Sequence, residues 1–108
     1  MSRQKGNIAE EKAAQFLQQK KFKIIERNFY TPFGEIDIIA EKKKILHFVE
    51  VKSGESFEPI YNITPIKMQR IIRSLEFYLS QNGITREYCV DALIVCGEKL
   101  ELIENITL

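Results

Sequence analysis

Three charged side chains, Asp37, Glu50 and Lys52, stand in the stretch "GEIDIIAEKKKILHFVEVK" among the Ile, Phe and Val that a β-sheet buries. Charge in such surroundings is costly unless it is paired. Two carboxylates brought together need a counter-charge. A hard divalent cation, Mg²⁺ or Mn²⁺, is held by oxygen sets of this kind, with water and phosphate completing its shell. A bound metal activates water and steadies the charge that grows on phosphorus oxygens. An ammonium such as Lys52 orients that water or steadies the transition state. The chemistry these residue types suit is hydrolysis of a phosphodiester.

The elements that must position them follow from periodicity and turn chemistry. Ala9, Ala13, Phe16 and Leu17 fall on one arc of a helix over roughly Gly6–Lys20. Glu10 interrupts the apolar arc by projecting between Ala14 and Leu17, as a third carboxylate turned inward or as a first-turn acid favoured by the helix dipole. Strands are expected at about 22–30, 35–40 and 45–52, separated by "TPFG" and "EKKK", then a loop over 53–62. A second helix opens with Thr64 as cap and Pro65 at its first position, and stops near Gly83. "YCVDALIV" and "LELIENITL" read as two closing strands around a Gly97-Glu98 turn. The order αβββαββ implies an α/β fold, a single domain with a mixed central sheet of about five strands flanked by helices.

Alternation sorts the faces. Ile36, Ile38 and Ala40 share one face of the second strand, with Asp37 and Ile39 on the other. On the third, Phe48, Glu50 and Lys52 lie opposite Val49 and Val51. Both faces carry large apolar groups, so the acids belong in a half-buried cleft. A four-residue turn at Lys42–Ile45 sets Asp37 opposite Glu50, whereas a shorter one makes them diagonal neighbours. In either register the carboxylates share a face, within roughly 5–8 Å at Cβ. The alternative is a hairpin with an internal Asp–Glu–Lys salt bridge.

With 108 residues, 44% of them hydrophobic and 29% charged, the chain is long enough for one core and too ordered in composition for disorder. No run approaches the roughly 20 apolar residues of a membrane span, and "MSRQKGNIAEEK" has no signal core, so a soluble cytoplasmic protein is expected. Net charge is +1, so any nucleic-acid affinity must come from local clusters. Lys42, Lys43 and Lys44 form one, and Lys67, Arg70 and Arg73 another; solvated surface is the plainer reading of each. Cys89 and Cys96 read as reduced packed thiols, and a lone histidine without a CxxC pair argues against structural zinc. His47 faces away from Asp37 and Glu50 as a packing residue, and Asp91 is expected to be hydrogen-bonded in the core. Tyr30, Phe33 and Tyr61 could stack on bases or simply pack loops.

"KGNIAEEKAAQFL", "RNFYTPFGEIDIIA", "FVEVKS", "PIKMQRIIRSLEFYL", "YCVDALIV" and "IENITL" together resemble the bacterial YraN-like family over essentially the whole chain. That family is similar to archaeal Holliday-junction resolvases, in the restriction-endonuclease-like PD-(D/E)XK group. The resemblance implies a restriction-endonuclease-like core, a divalent metal and DNA as partner, including branched forms. It carries the group's helix glutamate to Glu10, its metal-binding aspartate to Asp37 and its ExK pair to Glu50 and Lys52. Metal binding then falls to Asp37, Glu50 and Glu10, and catalysis to these with Lys52. Glu35 and Lys67 match the family pattern and receive accessory roles. A homodimer is compatible with it, since a twofold suits symmetric cutting of two strands. "SGES" after Lys52 and "YCVD" depart from the pattern by lacking basic residues found in relatives.

Three functions compete: a metal-dependent DNA nuclease, a non-catalytic nucleic-acid-binding module with a silent nuclease site, and a protein-interaction subunit whose acids only order the hairpin.

Overall fold

The structure is a computed structural model that describes residues 2–54 and 63–106, with side chains from Ile8 onward. Most of the loop expected over 53–62, Tyr61 included, lies outside the described residues, as do Thr107 and Leu108.

The elements run α1 (Ser2–Gln19), β1 (Lys23–Thr31), β2 (Gly34–Lys42), β3 (Ile45–Ser53), α2 (Pro65–Gln81), β4 (Tyr88–Cys96) and β5 (Lys99–Ile103). The expected order holds, and the five strands form one sheet in the order β1-β2-β3-β4-β5. Three of the four pairings are antiparallel, while β3 and β4 are parallel. That parallel pair is what α2 makes possible, because parallel neighbours need a long crossover between them. Thr64 caps the crossover helix through its hydroxyl, which accepts from Lys67 N–H at 3.1 Å, with Pro65 just inside.

One helix covers each face. On the α1 face, Ala9, Ala13, Ala14 and Leu17 pack on Ile38, Ala40, Val49, Leu93 and Val95. On the α2 face, Ile71, Leu75 and Tyr78 pack on Ile36, Ile39, Phe48 and Val90. A sheet buried on both sides explains why its central strands carry apolar residues at nearly every position. Among the described residues no helix is long and apolar enough to cross a membrane.

Two expectations are corrected. Ile36 does not share a face with Ile38, since it packs with Ile39 and Phe48 on the α2 side. Alternation is lost around Asp37. The final strand also ends at Ile103, well short of the expected "LELIENITL". Asn105 turns at φ 56, its N–H donates to Asp91 Oδ1 at 2.9 Å, and Ile106 N–H donates to Val90 O at 2.7 Å. The chain leaves the β5 ladder to satisfy a buried carboxylate.

The β2–β3 turn is tight. Lys42 pairs with Ile45, leaving Lys43 (φ 53) and Lys44 (φ 69) at the tip, both left-handed. That is the backbone of a type I′ turn, whose favoured residues are Asn-Gly. Two L-lysines held there cost about 1 kcal/mol each. A Lys43→Asn, Lys44→Gly double variant is expected to raise the melting temperature by a few degrees without moving the strand register; an unchanged or lower temperature would contradict the turn assignment.

Candidate functional site

The two-residue tip fixes what lies along the hairpin. Pairing runs from Lys42↔Ile45 to Ile38↔Val49, so Asp37 and Glu50 are next in line. There the ladder stops. Asp37 Oδ2 instead accepts the Val51 N–H at 2.8 Å, a side-chain oxygen standing in for a backbone carbonyl. Beyond this point β2 no longer follows the regular pleat, which is why Ile36 faces α2. The neighbouring strand is irregular at the same level. Asn28 has φ 55 between the pairs Arg27↔Ile38 and Phe29↔Ile36, and its side chain hydrogen-bonds Glu10. A non-glycine residue held in that region marks a site its surroundings over-determine.

Both faces contribute to the notch so formed. Carboxylate oxygens of Glu10, Glu35 and Asp37 all lie within 4.8 Å of one another. Glu10 comes from α1, the other two from β2. A cleft of about 460 Å³ continues the notch toward α2, lined by Glu35, Asp37 and Glu50 with Thr64, Lys67 and Arg70. Lys67 Nζ stands 3.8 Å from Glu50 Oε1. The entrance is held by Thr31, whose hydroxyl donates to Gly34 O at 2.8 Å, accepts from Gly34 N–H at 3.1 Å, and meets Ser74 Oγ of α2 at 3.0 Å. Gly34, at φ 150, adopts backbone that other residues rarely take, and so sets the path into Glu35.

Electrostatics follow from burial. Asp37 is only 9% exposed, and burial together with the Glu50 charge pushes its carboxyl up to about 9. Glu10 is also raised, first by burial and then by Glu35 and Glu50, against lowering contributions from Asn28 and Arg27. Lys52 is lowered, by burial first and then by the neighbouring Lys67, which Glu50 and Asp37 oppose. Acids pushed up and an ammonium pushed down in one cleft is the pattern of a functional site.

An oxygen-only set of three carboxylates suits a hard cation. Glu10 in addition keeps a buried Oε1 with no hydrogen-bond partner, an arrangement that a cation would relieve. Glu10, Glu35 and Asp37 would hold it, with Glu50 adjacent. The site places Glu10 and Asp37 in the tight carboxylate group, Glu50 outside that group in the adjoining cleft, and Lys52 within electrostatic reach of Glu50 and Asp37. It draws Glu35, read as accessory, into the tightest group, and sets Lys67 against Glu50. Alternation alone held the Glu35 signal, since Glu35 and Asp37 are two apart on one strand. Arg70 lines the cleft, while Arg73 lies over the Phe33 ring at 6.0 Å. Lys42, Lys43 and Lys44 occupy the hairpin tip, six residues from Asp37 to Lys43, or roughly 20 Å of strand. Lys42 rests there over Phe22, 4.9 Å from its centroid.

The native Asp37 pKa lies above its ordinary 3.8, so the metal-free native state keeps a proton that the unfolded chain releases. Stability therefore falls as pH rises from about 4 to about 9. Asp37→Asn, which retains an oxygen for Val51 N–H, is expected to flatten that decline. Without metal it should exceed the native chain by on the order of 1–3 kcal/mol at pH 8 and by far less at pH 4. Parallel melting-versus-pH curves for the two proteins would contradict a buried, destabilised carboxyl.

Comparison with known proteins returns relatives along the full length. Residues 9–95 match the family described as uncharacterised protein family UPF0102. A UPF0102 protein of Wolinella succinogenes is 66% identical over 108 residues, covering 100% of both chains. A UPF0102 protein of Helicobacter hepaticus is 57% identical over 107 residues, covering 99% of this chain and 97% of its own. One from Helicobacter pylori is 56% identical over 105 residues, covering 97% and 92%. These names state a family and no activity. The chain belongs to the UPF0102 family, the YraN-like group whose motifs its sequence carries.

Proposed function

We propose that this protein is a metal-dependent nuclease that hydrolyses phosphodiester bonds in DNA, with a restriction-endonuclease-like core of the PD-(D/E)XK group. The observation that carries the reading is the half-buried convergence of Glu10, Glu35 and Asp37, with Glu50 and the lowered Lys52 beside them. A bound Mg²⁺ or Mn²⁺ supplies Lewis acidity and a more acidic water. The residues do the remainder. Asp37, fixed by Val51 N–H, cannot swing away from the notch. Glu10 and Glu35 close the oxygen set from two elements. Lys52 offers an ammonium to the scissile phosphate or to the attacking water. Lys67 and Arg70, on the α2 wall, offer charge to flanking phosphates without reading sequence. Branched DNA is the favoured substrate through the resemblance to junction resolvases, and a homodimer would give the paired cuts such a substrate calls for.

The Lys67–Glu50 ion pair supports a second reading, a nucleic-acid-binding module with a silent site, because a fixed cation already offsets one of the acids.

Labelled duplex and four-way-junction DNA, incubated with Mg²⁺ or Mn²⁺, separates the two. Cleavage is expected, falling by about 100-fold or more in Asp37→Asn and in Lys52→Ala. Salt-sensitive binding without cleavage would select the silent module; equal cleavage by Asp37→Asn would overturn the site. Metal binding has its own readout: Mn²⁺ at 100 times its dissociation constant should stabilise the native chain by about 2.7 kcal/mol. Glu10→Gln should lose most of that gain, and a melting curve indifferent to Mn²⁺ in the native protein would contradict the metal centre.

A further inference from the structure

Apart from the acidic notch, the described residues contain one other group of side chains able to hold a metal: His47, Cys89 and Asp91. Their assembly is a product of the parallel pairing. His47 of β3 and Cys89 of β4 are register partners, and Asp91 lies two residues further along β4 on the same face. That face is the α1 side, where the Phe22 ring meets His47 edge-on at 4.9 Å. His47 Nδ1 stands 2.6 Å from Asp91 Oδ2 and 3.2 Å from Cys89 Sγ. The His47 side chain is 8% exposed and that of Asp91 is 0%.

Nucleophilic chemistry does not fit this group. A Cys–His–Asp relay uses the two imidazole nitrogens for different partners, whereas here thiol and carboxylate meet the same one. Burial and Asp91 push the Cys89 thiol up to about 12, the reverse of an activated cysteine.

Coordination does fit. The donors are one sulfur, one imidazole nitrogen and one carboxylate oxygen, a set that favours zinc over magnesium. Tetrahedral zinc, with Zn–S near 2.3 Å and Zn–N and Zn–O near 2.0–2.2 Å, separates its ligand atoms by about 3.4–3.6 Å. The nitrogen–sulfur edge is within about 0.4 Å of that, and the nitrogen–oxygen edge would open by about 0.8 Å, a small side-chain rotation. Asp91 Oδ1 accepts from Asn105 N–H at 2.9 Å and from the Cys89 thiol at 3.3 Å, while Oδ2 is oriented toward the imidazole; a bound ion would replace the thiol's bond.

We infer that His47, Cys89 and Asp91 form a second metal site, built for Zn²⁺ or a similarly thiophilic divalent cation and separate from the carboxylate notch. On binding, the Cys89 thiol releases its proton to solvent. The His47 proton moves from Nδ1 to Nε2, and water completes the fourth position. The ion ties β3 to β4, the pair that no short turn connects.

The metal-free full chain, titrated with Co²⁺, tests this. One equivalent is expected to produce a thiolate-to-cobalt charge-transfer band that Zn²⁺ removes and excess Mg²⁺ does not. The band should survive Asp37→Asn, disappear in Cys89→Ser, and require at least tenfold more Co²⁺ in His47→Gln. Zn²⁺ should protect Cys89, but not Cys96, from iodoacetamide in peptide mass spectra. No band with the native chain, alkylation of Cys89 at the same rate with and without Zn²⁺, or a band that persists in Cys89→Ser would overturn the site. It would leave His47, Cys89 and Asp91 as a hydrogen-bonded brace. Should Cys89→Ser fail to fold by circular dichroism, the native Co²⁺ spectrum and the alkylation pattern still decide.

Discussion

The structure turns on a single hydrogen bond, from Val51 N–H to Asp37 Oδ2. A backbone donor between two strands ordinarily finds a carbonyl across the ladder. By giving it a carboxylate oxygen, the protein ends the β2–β3 ladder while keeping the Val51 N–H paired. The interruption makes room for charge in a sheet that is otherwise covered on both sides. It also frees Ile36 to pack beneath α2 instead of α1.

Around that interruption, opposing costs are arranged to be tolerable together. Glu50 disfavours charge on Asp37, and Glu35 and Glu50 both disfavour charge on Glu10, effects that burial strengthens. Relief comes from fixed partners on separate elements: Asn28 on β1 for Glu10, Val51 on β3 for Asp37, and Lys67 on α2 for Glu50. None of these comes from the strand that carries the acid. The site is therefore a property of how α1, the sheet and α2 are assembled, and no isolated hairpin could hold it. The cluster at His47 is different in kind, because Asp91 already accepts from backbone and side chains alike.

Element order and the inward Glu10 were legible in the sequence because each rests on local rules: helical periodicity, turn residues, a capped proline start. The hairpin register stayed open between two turn lengths until the pairing of Lys42 with Ile45 settled it. Residues whose position depends on tertiary contacts were not legible. Ile36 leaves the pleat where Asp37 bonds the Val51 N–H, and pattern alone assigned it to the wrong face. Asn28 sits in an ordinary strand sequence, and nothing local signals its positive φ. The strand expected through Leu108 stops at Ile103, where the Asn105 amide goes to the Asp91 carboxylate of the neighbouring β4. His47 and Cys89, 42 positions apart, meet through a parallel register that helix α2 imposes, so spacing rules for zinc motifs could not find them.

The kink in β1 has a consequence beyond Glu10. With strands ordered one to five, β1 and β5 are the open borders of the sheet. An uncovered, regular border invites a foreign strand to add to it, the first step toward aggregates. β5 is protected by being short, five residues that include Lys99 and Glu101. The nine-residue β1 is long enough to be a hazard, yet its register slips between Ile24 and Glu26 and its backbone reverses hand at Asn28. The same irregularity that turns an amide toward a buried acid thus keeps the long border from serving as a template for its neighbours.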